Sequence, residues 1–421
     1  MSRRVIVVGW GVAGLAAAYA AAERGAHVAL VGEGAGATSL CPGAVDDVDW
    51  SEREAAAAVV GAPLLAPALD DEVRAFVSTV TDWDLAQAGQ PLPRLVATTG
   101  IVRTARGRDP ALLDLGSVGD RTVLVPRAPR ASWDADALVA SLRDEAPGVA
   151  FEAIGAPVLR FADEARIADA DLAARHDDDA RLAWLAARLA PHVERAGRPR
   201  AAVLLGPWLG LAAGRAQVLA ARLGCPVGEA MASQSLVAGL RFERARDRWL
   251  ARSGIELVRA RAVGFERTGE VCRVSLRGAP ALEADVVILA TGGLVGGGLV
   301  YDPPEHRAAP DGPEHVRAPF RVRFPIDGVR VGDGVAAGVA SSVFGPVLDH
   351  AWPRAGAAGS LERAGVLAGP DRAAAPGVFV AGDVAASEHR TVLAAVHAGL
   401  DAGARAAAIE AGERRKTALF A

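Results

Sequence analysis

The chain has no asparagine, and of its 46 basic residues only Lys416, near the end, is a lysine. That argues against a catalytic lysine or a Schiff base. Arginine and histidine remain as the cations available to a substrate, and arginine holds phosphates and carboxylates in bidentate fashion. Cysteine is equally sparse: Cys41, Cys225 and Cys272 are far apart, and no Cys-x-x-Cys occurs. An all-cysteine iron–sulfur site is excluded and a disulfide framework disfavoured. No apolar run reaches the length of a membrane span, because charged residues or glycine interrupt each one. A net charge of −4 argues against nucleic acid as a partner. The first hydrophobic strand begins directly after Arg4, which leaves no room for a cleaved signal peptide, and the cytoplasm is the expected location.

What the chain does have is 421 residues, 51% of them hydrophobic and 23% charged, enough for a large core and two domains. Its opening organises the rest. Val5 to Val8 is a run of apolar β-formers, Val12 onward is an alanine-rich helix pattern, and Gly9-Trp10-Gly11-Val12-Ala13-Gly14 lies between them. In a strand–turn–helix of this kind Gly9 permits the tight turn, Gly11 lets a phosphate approach the backbone, and Gly14 lets helix and strand pack closely. The helix N-terminus then faces the anion with its amides and the positive end of its dipole. A second strand is expected over residues 27–31. The small-residue loop that follows it, 32–44, is placed to pass over a ligand, which makes Thr38, Ser39 and Cys41 candidate contacts.

Further along, helices are expected over 51–60 and 70–88. In a middle α/β region, strands are expected over 122–125, 148–154 and 201–205. Helices are expected over 134–143, with Ser132 as N-cap, and over 179–190. The run His176-Asp177-Asp178-Asp179 reads as an acidic helix start rather than a metal site. An arginine-rich helix over 239–251 leads to strands over 254–258, 271–276 and 282–289, the last running into Ala290-Thr291-Gly292-Gly293. Residues 301–325 read as a loop holding His306, Arg307, His315, Arg317, Arg321 and Arg323. A last strand over 377–381 ends in Gly382-Asp383, and a long helix follows over 391–411. The expected architecture is α/β: a Rossmann-like domain with a central parallel sheet and an inserted second domain. The expected divisions are a binding domain in three parts (1–100, 201–300 and 361–421), an inserted α/β region (101–200) and cap loops (301–360).

Gly-x-Gly-x-x-Gly, Ala-Thr-Gly-Gly and Val-Phe-Val-Ala-Gly-Asp, in this order, resemble the two-dinucleotide-binding-fold flavoproteins. That resemblance implies a flavin held by Gly9, Gly11, Val12, Ala13, Gly14, Thr38, Ser39, Ala290, Thr291, Gly292 and Gly382, with Asp383 bonding the ribityl or phosphate region. One position departs from it. The acidic residue that accepts from the adenosine ribose hydroxyls should end the second strand, yet that place is Gly32, and Glu33 comes one residue late. Either a shifted strand end presents Glu33 or the contact is missing, so both FAD and FMN stay open.

Within that superfamily the chain resembles the B-subunit family of anaerobic glycerol-3-phosphate dehydrogenase. The likeness is carried by residues 5–15, 38–46, 204–211, 289–300 and 377–385; Asp383 is a departure where that family has a small residue. The resemblance implies a flavin-bearing subunit working beside an FAD-containing catalytic subunit and an iron–sulfur subunit that passes electrons to membrane quinone. Glycerol 3-phosphate is oxidised to dihydroxyacetone phosphate, and membrane attachment is through the partner. His306, Arg307 and His389 are the candidate catalytic residues: the Arg/His loop from His306 to Arg323 is the expected anion clamp, and a neutral histidine, one of His306, His315, His389 and His397, is expected to take the hydroxyl proton. Two rival readings stand beside this one. In the first the chain is a stand-alone FAD-dependent dehydrogenase of another small hydroxy or amino substrate, and in the second it is a non-catalytic scaffold with the flavin fold.

Overall fold

The structure is a computed structural model. It describes residues 2–46, 69–232, 236–293, 295–302, 306–308, 315–317, 321–326, 365–385 and 390–409. The described residues divide into two units, one drawn from Met1–Thr38, Trp50–Phe76 and Leu250–Ala421, the other from Ser39–Asp49 and Val77–Trp249.

The first unit is built on a six-stranded sheet in the order Glu256–Arg259, His27–Gly32, Arg4–Val8, Val286–Leu289, Val378–Val380, Ala373–Ala375. The first five strands are parallel, and the last closes one edge antiparallel. Val7 stands beside Leu30 on one side and Ile288 on the other. A parallel sheet is covered on both faces, which is why its central strands are continuous apolar runs rather than alternating ones. Val286–Leu289 is buried throughout.

The helix Val12–Glu23 makes the crossover from the first strand to the second and is buried on nearly every side. Its far side is taken by the last helix, Val392–Ala408. There, a Cβ on Gly399 would stand 2.2 Å from Ala13 O and one on Gly403 2.2 Å from Ala17 O. Two glycines four residues apart thus let backbone meet backbone, with Ala13, Ala16 and Ala17 opposite them. A three-stranded antiparallel sheet, Ala262–Thr268, Val271–Leu276 and Ala279–Ala284, completes this unit's core through Phe265, Cys272 and Val274.

The second unit has its own parallel sheet, ordered Val227–Glu229, Ala201–Leu205, Thr122–Pro126, Ala150–Ile154, with the helices Ala135–Glu145, Asp179–Ala196 and Arg215–Leu223. Leu124, Leu142, Leu182, Leu204 and Trp208 fill its core. Smaller antiparallel pieces join it, including Ala44–Val45 and Asp84–Leu85 on either side of Gly107–Arg108. Arg241 is buried with Glu229, which it meets through two hydrogen bonds of 2.8 and 2.9 Å, and with Asp109 at 3.1 Å. Burial by itself would lower the guanidinium's pKa, but the two carboxylates outweigh it and hold the charge in place.

Several boundaries differ from the expected ones, each for a local reason. The inserted region does not stop at residue 200, since Ala201–Leu205 pairs with Thr122–Pro126 on one side and Val227–Glu229 on the other. The helix expected over 70–88 is Asp71–Val80: Thr81 turns its hydroxyl back to Val77 O at 2.8 Å, and Asp82 takes a left-handed conformation with φ 59°. The helix in the middle region is capped by Asp134, which accepts from the amides of Asp136 and Ala137, and not by Ser132. Asp179–Ala196 runs six residues beyond its expected end, through Pro191. Residues 301–325 are not all loop, because Val300–Asp302 pairs with Arg321–Arg323 and His306–Ala308 with His315–Arg317. The expected helix over 51–60 lies outside the described residues. Among the described residues no helix is long and apolar enough to cross a membrane.

Candidate functional site

At the end of the first strand the Gly9 amide donates to Val31 O at 2.7 Å, and the backbone turns with φ 113°. A Cβ here would lie 2.0 Å from Ala290 O, and one on Gly14 would lie 1.9 Å from Gly9 O. The protein's own packing therefore demands both glycines. Gly11 is different, because a Cβ on it would meet only Thr38 Oγ1, at an ordinary 3.4 Å. Nothing described in the chain requires glycine there, whereas a phosphate lying against the backbone does. Gly11 supplies no side-chain cap and the first helical turn carries no acidic residue, so no charged side chain of that turn offsets the positive end of the helix. Thr38 stands at this opening, accepting the Val12 amide on its hydroxyl at 3.1 Å.

The second segment enters from the neighbouring strand. The Ala290 amide donates to Val8 O at 2.8 Å. Among the described residues Thr291 Oγ1 is buried with no hydrogen-bond partner, an arrangement that leaves a hydroxyl waiting for a ligand atom. The glycine-rich turn that follows folds back on itself, with a Cβ on Gly298 only 1.9 Å from Gly292 O.

The third segment closes against both of the others. Gly382 adopts φ 71°, and a Cβ there would come 2.7 Å from Ala13 Cβ. A Cβ on Gly293 would touch Asp383 Cβ at 3.0 Å. Residues near 10, 290 and 380 thus meet at one place, and the half-buried Asp383 stands on the short turn Gly382–Val384 where they do.

Beside this junction opens a pocket of about 210 Å³, lined among others by Gly9, Glu33, Arg261, Thr291, Gly297 and Ile326. Arg261 and Ile326 were not singled out from the sequence. Arg261 follows Glu256–Arg259, whose place beside His27–Gly32 only the sheet order reveals. Trp10 was also missed as a determinant of the site, although an aromatic inside the glycine turn was the available signal.

The other expected residues fall as follows. Val12 and Ala13 are buried in the first helical turn. Ser39 belongs to the other unit, where it is buried and its carbonyl lies against Gly239 with no room for a Cβ; the structure does not bring it to the pocket. Cys41 donates its thiol to Ala44 O at 3.2 Å. His306 and Arg307 stand on the short strand His306–Ala308, and His389 lies outside the described residues. The three aspartates of the run at 176–179 are engaged in structure. Asp177 accepts the amides of Leu211 and Ala212, Asp178 caps the helix Asp179–Ala196, and Asp179 pairs with Arg215 at 2.8 Å.

A parallel sheet whose first turn leaves a glycine open to an anion, with two remote segments closing round it, defines a dinucleotide-binding fold of the flavoprotein kind. Residues 4–99 match the model of the FAD binding domain, and FAD is the cofactor that this domain implies. No curated protein matches the sequence. Among solved structures the chain is similar to the tetracycline destructase Tet(51), at 10% identity and a TM-score of 0.22, over 69% of this chain and 39% of that one. It is also similar to a putrescine oxidase redesigned in its cofactor binding, at 14% identity and a TM-score of 0.30, over 97% of this chain and 100% of that one. For CabE, an aromatic hydroxylase from angucycline biosynthesis, the values are 12% identity and a TM-score of 0.32, over 97% of this chain and 62% of that one. Likeness at this level says nothing of substrate. The residues present fit the cofactor: a glycine at a helix start that bears no acidic side chain, an unpartnered hydroxyl on Thr291, and a pocket lined by Gly9 and Thr291.

Proposed function

We propose that the chain is the flavin-bearing subunit of a quinone-linked dehydrogenase, of the kind that oxidises sn-glycerol 3-phosphate to dihydroxyacetone phosphate. The observation that carries the flavin reading is the meeting of residues 9–14, 291–293 and 382–383 beside one pocket. The likeness of residues 38–46 and 289–300 to the B-subunit family of the anaerobic enzyme supports the choice of substrate. When bound, flavin supplies the hydride and electron transfer. In this reading the chain's own residues hold it: backbone amides of the first turn on the phosphates, Thr291 on a polar atom of the cofactor, and Asp383 on the ribityl hydroxyls. His306 and Arg307 clamp the phosphorylated polyol, and His389 takes its hydroxyl proton. The sparse cysteines agree with that division of labour, since Cys225 and Cys272 are buried and no cluster of metal-ligating side chains occurs among the described residues. In this reading an iron–sulfur partner carries the clusters, takes the electrons onward and makes any membrane contact.

The test is to purify the full chain, release its cofactor by heat and identify it chromatographically, then add sn-glycerol 3-phosphate. The expected result is a yellow protein that releases FAD and is not bleached by substrate until its partner subunits are supplied. Bleaching of the lone chain by a different small hydroxy or amino compound would replace this reading with a stand-alone dehydrogenase. A colourless protein that takes up no flavin would leave a scaffold.

A further inference from the structure

In a dinucleotide fold the side chain at the end of the second strand points at the adenosine ribose, and a carboxylate there accepts from its two hydroxyls. In this chain that side chain is missing for a structural reason. A Cβ on Gly32 would lie 2.5 Å from Trp10 Cδ2, 2.8 Å from Cγ and 2.9 Å from Cε3, so the indole occupies the space that any residue at 32 would need. The ring is fixed in place. Its Nε1 donates to Gly34 O at 2.5 Å, the Arg259 guanidinium lies 5.6 Å from its centroid, and only 8% of Trp10 is exposed. Trp10 as placed therefore requires glycine at the strand end.

The next residue is Glu33. It is exposed and lines the same pocket as Gly9, Gly32 and Thr291. Among the described residues its carboxylate has no hydrogen bond or ion pair, although Arg261 lines that pocket too. An unengaged carboxylate at the rim of a nucleotide pocket is an acceptor without a donor, and the vicinal hydroxyls of a ribose are two donors at the right separation. Arg261, in the same pocket lining, brings a positive charge to the site.

We propose that Trp10 and Gly32 act as a matched pair that moves ribose recognition from the strand end to Glu33, making Glu33 the residue that selects FAD over FMN. This rests on the flavin reading above. FMN has no adenosine, so it gains nothing from Glu33, whereas FAD gains a charge-assisted contact.

The experiment titrates FAD and FMN separately into the cofactor-free full chain and follows flavin fluorescence. It compares the parent, Glu33→Gln, and a triple variant carrying Glu33→Gln, Trp10→Val and Gly32→Glu. Glu33→Gln is expected to weaken FAD binding about tenfold or more and to leave FMN within about twofold, as expected for losing hydrogen bonds to a charged acceptor. The triple variant, with a carboxylate returned to the strand end, is expected to recover the preference for FAD. Equal FAD affinity in parent and Glu33→Gln would overturn the proposal, as would an equal loss for FMN. A triple variant that binds FMN but stays weak for FAD would overturn the pairing of Trp10 with Gly32. A parent chain that binds neither flavin would overturn the flavin reading itself, and this proposal with it.

Discussion

The three glycines of the first turn look alike in the sequence and differ in what they face. Gly9 and Gly14 are walled in by backbone oxygens, and Gly9 also needs a left-handed φ; a Cβ on Gly11 would meet only Thr38 Oγ1, at ordinary van der Waals distance. Gly9→Ala is accordingly expected to cost about 2 kcal/mol or more, through strain and steric overlap combined. Gly14→Ala should behave similarly, while Gly11→Ala is expected to keep the parent melting temperature without cofactor and to lose flavin affinity. Thermal unfolding of the cofactor-free variants, set beside a flavin titration, separates the two effects. If Gly11→Ala unfolds as early as Gly9→Ala, the open glycine has a structural role and is not kept for a phosphate. A second residue-scale prediction concerns His176, which is fully buried in the other unit with its Nδ1 N–H donating to Trp208 O at 2.8 Å. Burial, aided by Arg181, pushes its pKa from 6.5 down to about 4. Above pH 6.5 the ring is neutral folded or unfolded. Between 6.5 and 4 the unfolded chain takes up a proton that the folded one refuses, so stability falls across that window by on the order of 3 kcal/mol and no further below it. Urea unfolding at about pH 7.5 and pH 5 should show a steeper loss for the parent than for His176→Gln. Equal losses would mean that His176 does not govern this window.

At the scale of elements, the first helix, Val12–Glu23, and the last helix, Val392–Ala408, are one construction. Their seam is made of Gly399 and Gly403 against the backbone of Ala13 and Ala17, and Ala13 is itself in the first turn of Val12–Glu23. Gly399→Leu must push the last helix away and shift the turn that faces the phosphates. We expect a loss of about 1–3 kcal/mol from overpacking, accompanied by weaker flavin binding. Ala408→Leu, exposed at the end of the same helix, is expected to stay within about 0.5 kcal/mol of the parent. Denaturant unfolding measures both, and a Gly399→Leu variant with parent-like flavin affinity would break the link between seam and turn. The strands on both sides of this seam were legible because their evidence is local. Unbroken apolar runs such as Val286–Leu289 end in glycine turns, and the run length and the turn lie next to each other in the chain. What was not legible depended on partners far away. The early stop at Val80 needs the conformation of Asp82, the extent of the inserted region needs the pairing of Ala201–Leu205, and the empty side-chain position at Gly32 needs Trp10 folded over it. Ser39 reads as a ligand contact because the small-residue loop 32–44 is expected to pass over the ligand, yet its carbonyl is packed against Gly239.

For the whole molecule, the division into two units with separate hydrophobic clusters sets where a bound cofactor can be felt. In the proposed reading FAD binds the folded first unit and not its unfolded form, which raises the free energy of opening that unit by about 2.7 kcal/mol at a hundredfold excess over Kd. The amides that must break to open the sheet should then exchange more slowly, by the same factor that the ligand imposes on opening. The affected stretches are those that carry or flank the site: Arg4–Val8, Val12–Glu23, Val286–Leu289, Val378–Val380 and Val392–Ala408. Thr122–Pro126 and Ala201–Leu205 have their own core around Leu124 and Leu204 and make no part of the pocket. Hydrogen exchange read by mass spectrometry, with and without FAD, is expected to show protection in the first set and none in the second. Equal protection in both would mean that the two units open together. Protection centred on Thr122–Pro126 would put the cofactor on the other sheet and leave the open glycine of the first turn without a ligand.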